Sequence, residues 1–319
     1  MWDWRYKALS DGPAIVYVAR SQPTAEVVGH IAMFRRHFRI GDASLQFCVP
    51  GNLLVHPDWQ KNIVGVRLVM IVRSLVQTRE FDAVLAFANP NANTMFLRLG
   101  FTELGVMHTY VDVRDAGPPL RRRKRALAVV APLVNLGFAA RRLLSRRPGQ
   151  GHSDLRVRKL TSDQFVGFDR SHWAPSKRLV AWDSNQFVVD RYLNEPHAER
   201  HLYGLVNPVT SLLEGYVVTE PTARIKVWDC QTNPATIDPT AAIRAVVAQW
   251  PNAETVLVPT LPHSRLAKDL VRAGFLDRES VDSTESTTYL SAYSLPDHPH
   301  TEALADPTCW DIWLGSRHY

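Results

Sequence analysis

The sequence predicts an α/β protein made of two tandem copies of one mixed-sheet (α+β) domain joined by a basic helical linker. Three observations carry this. Strand-like and helix-like segments alternate through residues 1–113, the same landmarks recur in the second half, and a single Arg-rich stretch separates the two. At 319 residues the chain is about twice the common single-domain size, which leaves room for two cores. With 45% hydrophobic and 21% charged residues it is neither fibrous nor mostly disordered.

Residues 14–20, 26–40 and 44–55 are rich in β-branched and aromatic side chains and are broken by Gly, Pro and Asp, the pattern of a strand meander. From Val64 to Glu80 the apolar residues Val64, Leu68, Ile71, Val72, Leu75 and Val76 follow a helical period. The run 82–88, DAVLAFA, predicts a short buried strand. A short helix follows over 91–99, closed by Gly100, and one more strand over 103–113. The order is β-β-β-α-β-α-β.

Residues 154–295 repeat this plan. Arg5-Tyr6 precedes Gly29 by the same interval at which Arg191-Tyr192 precedes Gly215, and each half reaches a Gly-Phe pair, Gly100-Phe101 and Gly274-Phe275. The expected domains are therefore 1–113, a linker over 114–153, and 154–319. The second half opens from Asp154 with a strand and helices that the first copy lacks, so either the start of the first copy is truncated or the second copy supplies that surface.

The net charge of +6 belongs to the linker. Between Pro118 and Gln150 stand Arg121, Arg122, Arg123, Lys124, Arg125, Arg141, Arg142, Arg146 and Arg147 and no acid. Removing these nine from the 37 basic residues leaves 28 against 31 acids, so the folded lobes carry no basic surplus. The apolar stretch 126–140 lies between the two basic clusters and is too short to span a bilayer. It is expected either to lie on an anionic membrane surface through residues 120–147 or to pack against the lobes. Nucleic acid is not expected, because the cluster has no interleaved aromatics. Cys48, Cys230 and Cys309 offer neither a disulfide framework nor metal-ligand spacing, and the N-terminus has no apolar core behind a basic start. The expected location is the cytoplasm, peripheral at the inner membrane surface if the linker binds lipid, with no metal.

The chemistry is read from LLVHPDWQKNIVGVRL, residues 53–68. A strand ends at Val55, a loop turns at His56-Pro57 and a helix begins near Val64, so free backbone N–H groups and the helix dipole form an anion site suited to a diphosphate. Gly65 lets a phosphate approach the backbone closely. After the next strand comes ANPNANTMFLRLGF, residues 88–101.

With both elements in order the sequence resembles the GNAT acyl-coenzyme A N-acyltransferase superfamily. Val55, Pro57, Gln60 and Gly65 match its V-x-P-x-x-[RQ]-x-x-G-x-[GA] loop, and Asn89, Ala92, Phe96, Gly100 and Phe101 match its second motif. The resemblance implies a splayed strand whose Leu54 and Val55 pair with pantetheine. It implies Gln60, Lys61, Asn62, Val64, Gly65 and Val66 on the diphosphate and Asn89 on the coenzyme near the second helix. The implied reaction is transfer of an acyl group from acetyl-CoA, or another acyl-CoA as co-substrate, to a small-molecule amine acceptor such as an amino sugar or cell-envelope precursor.

The departures matter too. Ile63 replaces the first loop glycine and is expected to restrict that backbone. Gly51-Asn52 replaces the family's frequent acid, and Phe96 its frequent Tyr. That leaves His37, His108 and Tyr110 as candidates for proton transfer. In the second half the loop around 230–240 has no matching motif, and His263 and Leu270 stand where Asn89 and Phe96 stand. That copy is expected to bind no coenzyme. The aromatic tail 309–319, with Trp2 and Trp4, is read as caps on the core in preference to a platform for a sugar ring. Two other functions stand beside the enzyme: a catalytically degenerate acyl-CoA-binding scaffold, and a transferase using aminoacyl-tRNA.

Overall fold

Fifteen strands in the computed structural model, which describes residues 6–7, 10–144, 155–278 and 287–313, form two mixed sheets. Trp2, Trp4, Arg5, Arg146 and Arg147 lie outside the described residues. The first half supplies β1 (Ile15–Arg20), β2 (Val27–Ile40) and β3 (Ala43–Val55), then α1 (Val64–Gln77), β4 (Ala83–Ala88), α2 (Pro90–Arg98), β5 (Thr102–Val106) and β6 (His108–Val113). The linker holds α3 (Gly117–Arg123), a 3₁₀ stretch (Arg125–Val130) and α4 (Ala131–Leu144). The second half continues with β7 (Arg156–Leu160), α5 (Ser162–Val166), β8 (Leu179–Ala181), α6 (Asn185–Val188), β9 (His201–Val206), β10 (Leu213–Glu220) and β11 (Arg224–Thr232). It ends with α7 (Pro239–Val247), β12 (Thr255–Thr260), α8 (Arg265–Arg272), β13 (Leu276–Arg278), β14 (Tyr289–Ser294), α9 (Thr301–Ala305) and β15 (Trp310–Asp311).

The repeat is visible in register. Gly29 faces Val55 across β2 and β3, and Gly215 faces Thr232 across β10 and β11. A side chain at Gly29 would come within 3.1 Å of the Leu54 carbonyl, and one at Gly215 within 3.0 Å of Thr232. Both glycines let the hairpin close against its neighbours.

The two sheets exchange a strand. In one the order is β15-β8-β2-β3-β4-β14-β5 with β1 on β2, and in the other β13-β6-β12-β11-β10-β9-β7. The single strand expected over 103–113 is thus two. Gly105 takes φ +122°, with a bulge between Leu290 and Ser291 on the partner side, and past Met107 the chain leaves its own sheet. There β6 inserts between β12 and β13, while β14 of the second half inserts between β4 and β5. An alternating apolar pattern identifies both strands but does not say which sheet they join.

The core follows this exchange. Helices α1 and α2 bury Leu68, Val69, Val72 and Phe96 against Ile31, Met33, Ala86 and Tyr293, the last from β14. A larger cluster joins the halves: Phe38, Phe47, Leu85 and Leu104 pack with Leu179, Tyr192, Leu290 and Trp310. Beside it Arg36 on β2 makes a two-pronged bond to Asp183, Nε to Oδ1 at 3.0 Å and Nη2 to Oδ2 at 2.5 Å, with both side chains only 1% exposed. Removing one partner of such a pair costs about 3–5 kcal/mol, because the other charge is left buried. The tail tryptophans are core: Trp310 packs on Phe38 and Phe47, and Trp313 on the α7 and α8 side.

Candidate active site

Strands β3 and β4 run parallel but pair only at Phe47 with Ala83 and Cys48 with Val84. Beyond these positions β3 runs to Val55 and β4 to Ala88 without a shared register, so the sheet opens into a wedge. Pro50 gives the ladder no N–H. Next to it β3 carries a bulge, with Ala32 opposite Gly51 and His30 opposite Leu54. Asn52 sits in that bulge at φ 51° and donates its side-chain amide to the Tyr6 hydroxyl.

The ladder fixes which peptide groups face the wedge. The His56 N–H donates to the Val28 carbonyl at 2.9 Å, so alternation turns the peptide groups of Leu54 toward β2 and those of Val55 toward β4. The Val55 carbonyl accepts the Gln60 side-chain amide at 3.2 Å, and its N–H meets no acceptor among the described residues. Leu54 instead presents its side chain, 61% exposed.

Between β3 and α1 the loop holds itself with three backbone bonds, Trp59 N–H to His56, Gln60 N–H to Pro57 and Asn62 N–H to Trp59. The amides of Lys61, Val64, Gly65 and Val66 have no acceptor among the described residues. The α1 N-terminus has no side-chain cap and no acid in its first turn, an arrangement that leaves the positive end of the helix dipole open. A side chain at Gly65 would meet only ordinary contacts, 3.7 Å to Val55 and 3.8 Å to Met95, so packing alone does not require glycine there. Ile63 sits at φ −74°, ψ 8°, which any residue adopts; the restriction expected from its side chain does not arise.

Across the wedge Asn89 caps α2, its Oδ1 accepting the Ala92 N–H at 2.9 Å. Phe96 is core, 4.9 Å from the Phe101 ring, and offers no proton. Of the residues singled out for proton transfer, the structure brings none to the wedge. His37 faces Gln46, on the paired side of the Phe47–Ala83 junction, with its N–H on Asp183 at 3.3 Å. His108 and Tyr110 travel with β6 into the other sheet, where both bond Asp277, at 2.9 and 3.4 Å, and burial pushes the Tyr110 hydroxyl pKa up. Beside β4 stands β14 of the second half, which sets Tyr289 opposite Ala88 and Ser291 opposite Ala86. Sequence reasoning missed Tyr289 because it lies in the other half of the chain.

The second half has the same wedge, closed by its own acids. Strands β11 and β12 pair only from Arg224–Thr255 to Lys226–Leu257. Helix α7 is capped by Asp238, whose Oδ1 accepts the Thr240 and Ala241 N–H groups at 2.9 and 3.0 Å. The cap of α8 falls on Ser264, one residue past His263, and the Ser264 hydroxyl accepts the Ala267 N–H at 3.1 Å. The buried Asp311 carboxyl stands near this helix start, its pKa pushed up to about 6 mainly by burial. Ile312 follows, its carbonyl taking the Thr260 hydroxyl at 2.8 Å. The tail therefore covers in this lobe the helix start that Asn89 leaves accessible in the other.

A further acid marks this lobe. Asp229 lies three residues before Thr232, as Asn52 lies three before Val55, and it accepts the Tyr192 and Tyr216 hydroxyls at 3.2 and 3.3 Å. Its pKa is pushed up to about 6 by burial and then by Asp183, against Arg36 and the two hydroxyls. The two lobes thus keep a Tyr contact at one place while exchanging Asp for Asn. Among the described residues no group of three or more His, Cys, Asp or Glu stands together to hold a metal.

Known structures share this architecture. A GCN5-related N-acetyltransferase from Kribbella flavida aligns at 15% identity and TM-score 0.51, covering 85% of this chain and 58% of that one. A probable N-acyltransferase from Enterococcus faecalis V583 gives 8% and 0.56, covering 88% and 62%. A GCN5-related N-acetyltransferase from Anabaena variabilis ATCC 29413 gives 10% and 0.54, covering 87% and 62%. The chain has the fold of N-acyltransferases. More narrowly, it is the GCN5-related N-acetyltransferase fold, here carrying two GNAT-like sheets. It spans about three fifths of the length of each of these neighbours. No protein-family model and no curated protein matches the sequence.

Proposed function

We propose that the chain is an acyl-CoA-dependent N-acyltransferase, acting from acetyl-CoA in the first instance, with its coenzyme site in the N-terminal lobe. The observation that carries this reading is the wedge between β3 and β4 opening directly onto an uncapped helix start. The residues fit the co-substrate. Lys61, Val64, Gly65 and Val66 supply amides for the diphosphate, Gln60 and Asn62 shape that loop, and Asn89 borders the site at α2. Pantetheine lies along Val55, with the Leu54 side chain beside it. The lobes divide at the linker over 114–153, each lending the other one strand, and acyl-CoA use points to the cytoplasm.

In this reading a neutral amine attacks the thioester carbon, and the Val55 N–H stabilises the oxyanion. The collapsing intermediate breaks the carbon–sulfur bond, the amine proton passes to solvent, and the Tyr289 hydroxyl protonates the leaving thiolate. Alignment of amine and thioester supplies much of the rate. The acceptor is a small amine; an amino sugar or a cell-envelope precursor is the class to try first.

The test is thiol release from acetyl-CoA across a panel of amines. Turnover is expected with at least one amino sugar, and Tyr289→Phe should lower kcat about tenfold or more with KM little changed. Phe96 and Asn52 at the family's usual acid and base positions favour one competing reading, a coenzyme-binding scaffold. Coenzyme binding without release on any amine decides for it.

A further inference from the structure

The linker carries a feature that acyl transfer does not use. The outward side of α4 and the turn before it is apolar: Val129 is 82% exposed, Leu133 72% and Leu136 67%, with Val130 beside them. At a helical period these residues share one face. The opposite face is fixed to the protein. Ala131 is buried, Asn135 accepts the Ala116 N–H at 2.7 Å and donates to Asp115 at 3.1 Å, and Arg141 reaches the Phe275 carbonyl. Packing of this stretch on the lobes, one of the two expectations from sequence, would bury the leucines, and the structure turns them out.

A soluble linker helix presents polar residues outward, so a rigidly held apolar face needs a partner. Charge says which kind. The segment from Pro118 to Gln150 has nine basic residues and no acid; Arg121 and Lys124 are exposed just before the apolar face, while Arg122 is paired with Glu254. No helix among the described residues is long and apolar enough to cross a membrane. We infer that the α4 face is an interfacial anchor that docks the protein on an anionic bilayer surface, its aliphatic side chains among the acyl chains and its basic residues against the headgroups. A nucleic-acid backbone would satisfy the charges and leave Leu133 and Leu136 in water.

The test is flotation of the full chain with vesicles of phosphatidylcholine and phosphatidylglycerol at roughly 3:1, and with phosphatidylcholine alone, in about 50 mM salt. Co-flotation with the anionic vesicles is expected, at least tenfold weaker on the neutral ones. The double change Leu133→Glu and Leu136→Glu should reduce it at least tenfold while circular dichroism and melting temperature stay unchanged. No co-flotation of the intact chain overturns the proposal, as does binding that survives the double change. So does a concentration-dependent dimer, abolished by the same change, without vesicle binding; that result makes the face an interface between copies.

Discussion

Helix α1 and helix α7 stand at the same place in two copies of one domain, and their first turns differ in one respect. The start of α1 is bare, with no capping side chain and no acid, whereas α7 begins at Asp238, whose carboxylate takes two of its amides. The second pair differs in the same sense. Asn89 caps α2 with a neutral amide at an exposed helix start, while α8 is capped by the buried Ser264 and has the Asp311 carboxyl of the tail close by. An anion site at a helix start is abolished by placing the protein's own anion there. One copy leaves its first-turn amides open and the other bonds them to its own side chains.

The two copies are nevertheless one folding unit, and cutting them apart should give the largest effect of all. A fragment ending at Gly149 lacks β14, so β4 and β5 lose the strand between them, and Arg36 loses Asp183. That fragment is expected to be unfolded by circular dichroism and to bind no acetyl-CoA. Co-expressed with residues 150–319 it should regain both. A folded, coenzyme-binding fragment would mean that the exchanged strand is dispensable.

A smaller effect separates Asp229 from Asn52. An aspartate near 3.8 in the unfolded chain and about 6 in the folded one holds an extra proton on folding between those values, so its contribution to stability falls as pH rises from about 4 to 6. Asp11 and Asp311, also pushed up to about 6, act in the same direction. Asp229→Asn recreates the Asn–Tyr contact of the first lobe. It should leave stability at pH 4 little changed and raise it by about 1–3 kcal/mol at pH 7.5. Urea denaturation at the two pH values measures this, and destabilisation at pH 7.5 would show that the charge is needed by Arg36 or Arg191. Smaller again, Asp238→Ala removes a cap and should cost about 1 kcal/mol in the same assay with acetyl-CoA affinity unaltered.

How far the sequence reached follows from the same comparison. Local patterns placed β1 to β4 and α2 within a residue of their observed ends and the start of α1 at Val64, though α1 stops at Gln77, three residues short of the expected Glu80. The paired glycines Gly29 and Gly215 exposed the repeat, because close-approach glycines and helical periods are local signals. His108 and Tyr110 read as part of a single strand over 103–113. The turn at Gly105 carries them to Asp277, and nothing in an alternating pattern encodes that destination. Asp229 was within reach, since counting three residues back from Thr232, as from Val55 to Asn52, lands on it. The contact of the tail at Ile312 with Thr260 was not, because it joins residues far apart in sequence.

The central claim, one open lobe and one self-capped lobe, is met most directly by isothermal titration of acetyl-CoA into the intact chain and into Gly65→Glu. The account predicts a single site per chain, weakened at least a hundredfold by a carboxylate set against the diphosphate amides, with the melting temperature little changed. Two sites per chain, or one site that Gly65→Glu leaves untouched, would contradict it and move the coenzyme to the lobe whose helix start Asp238 caps.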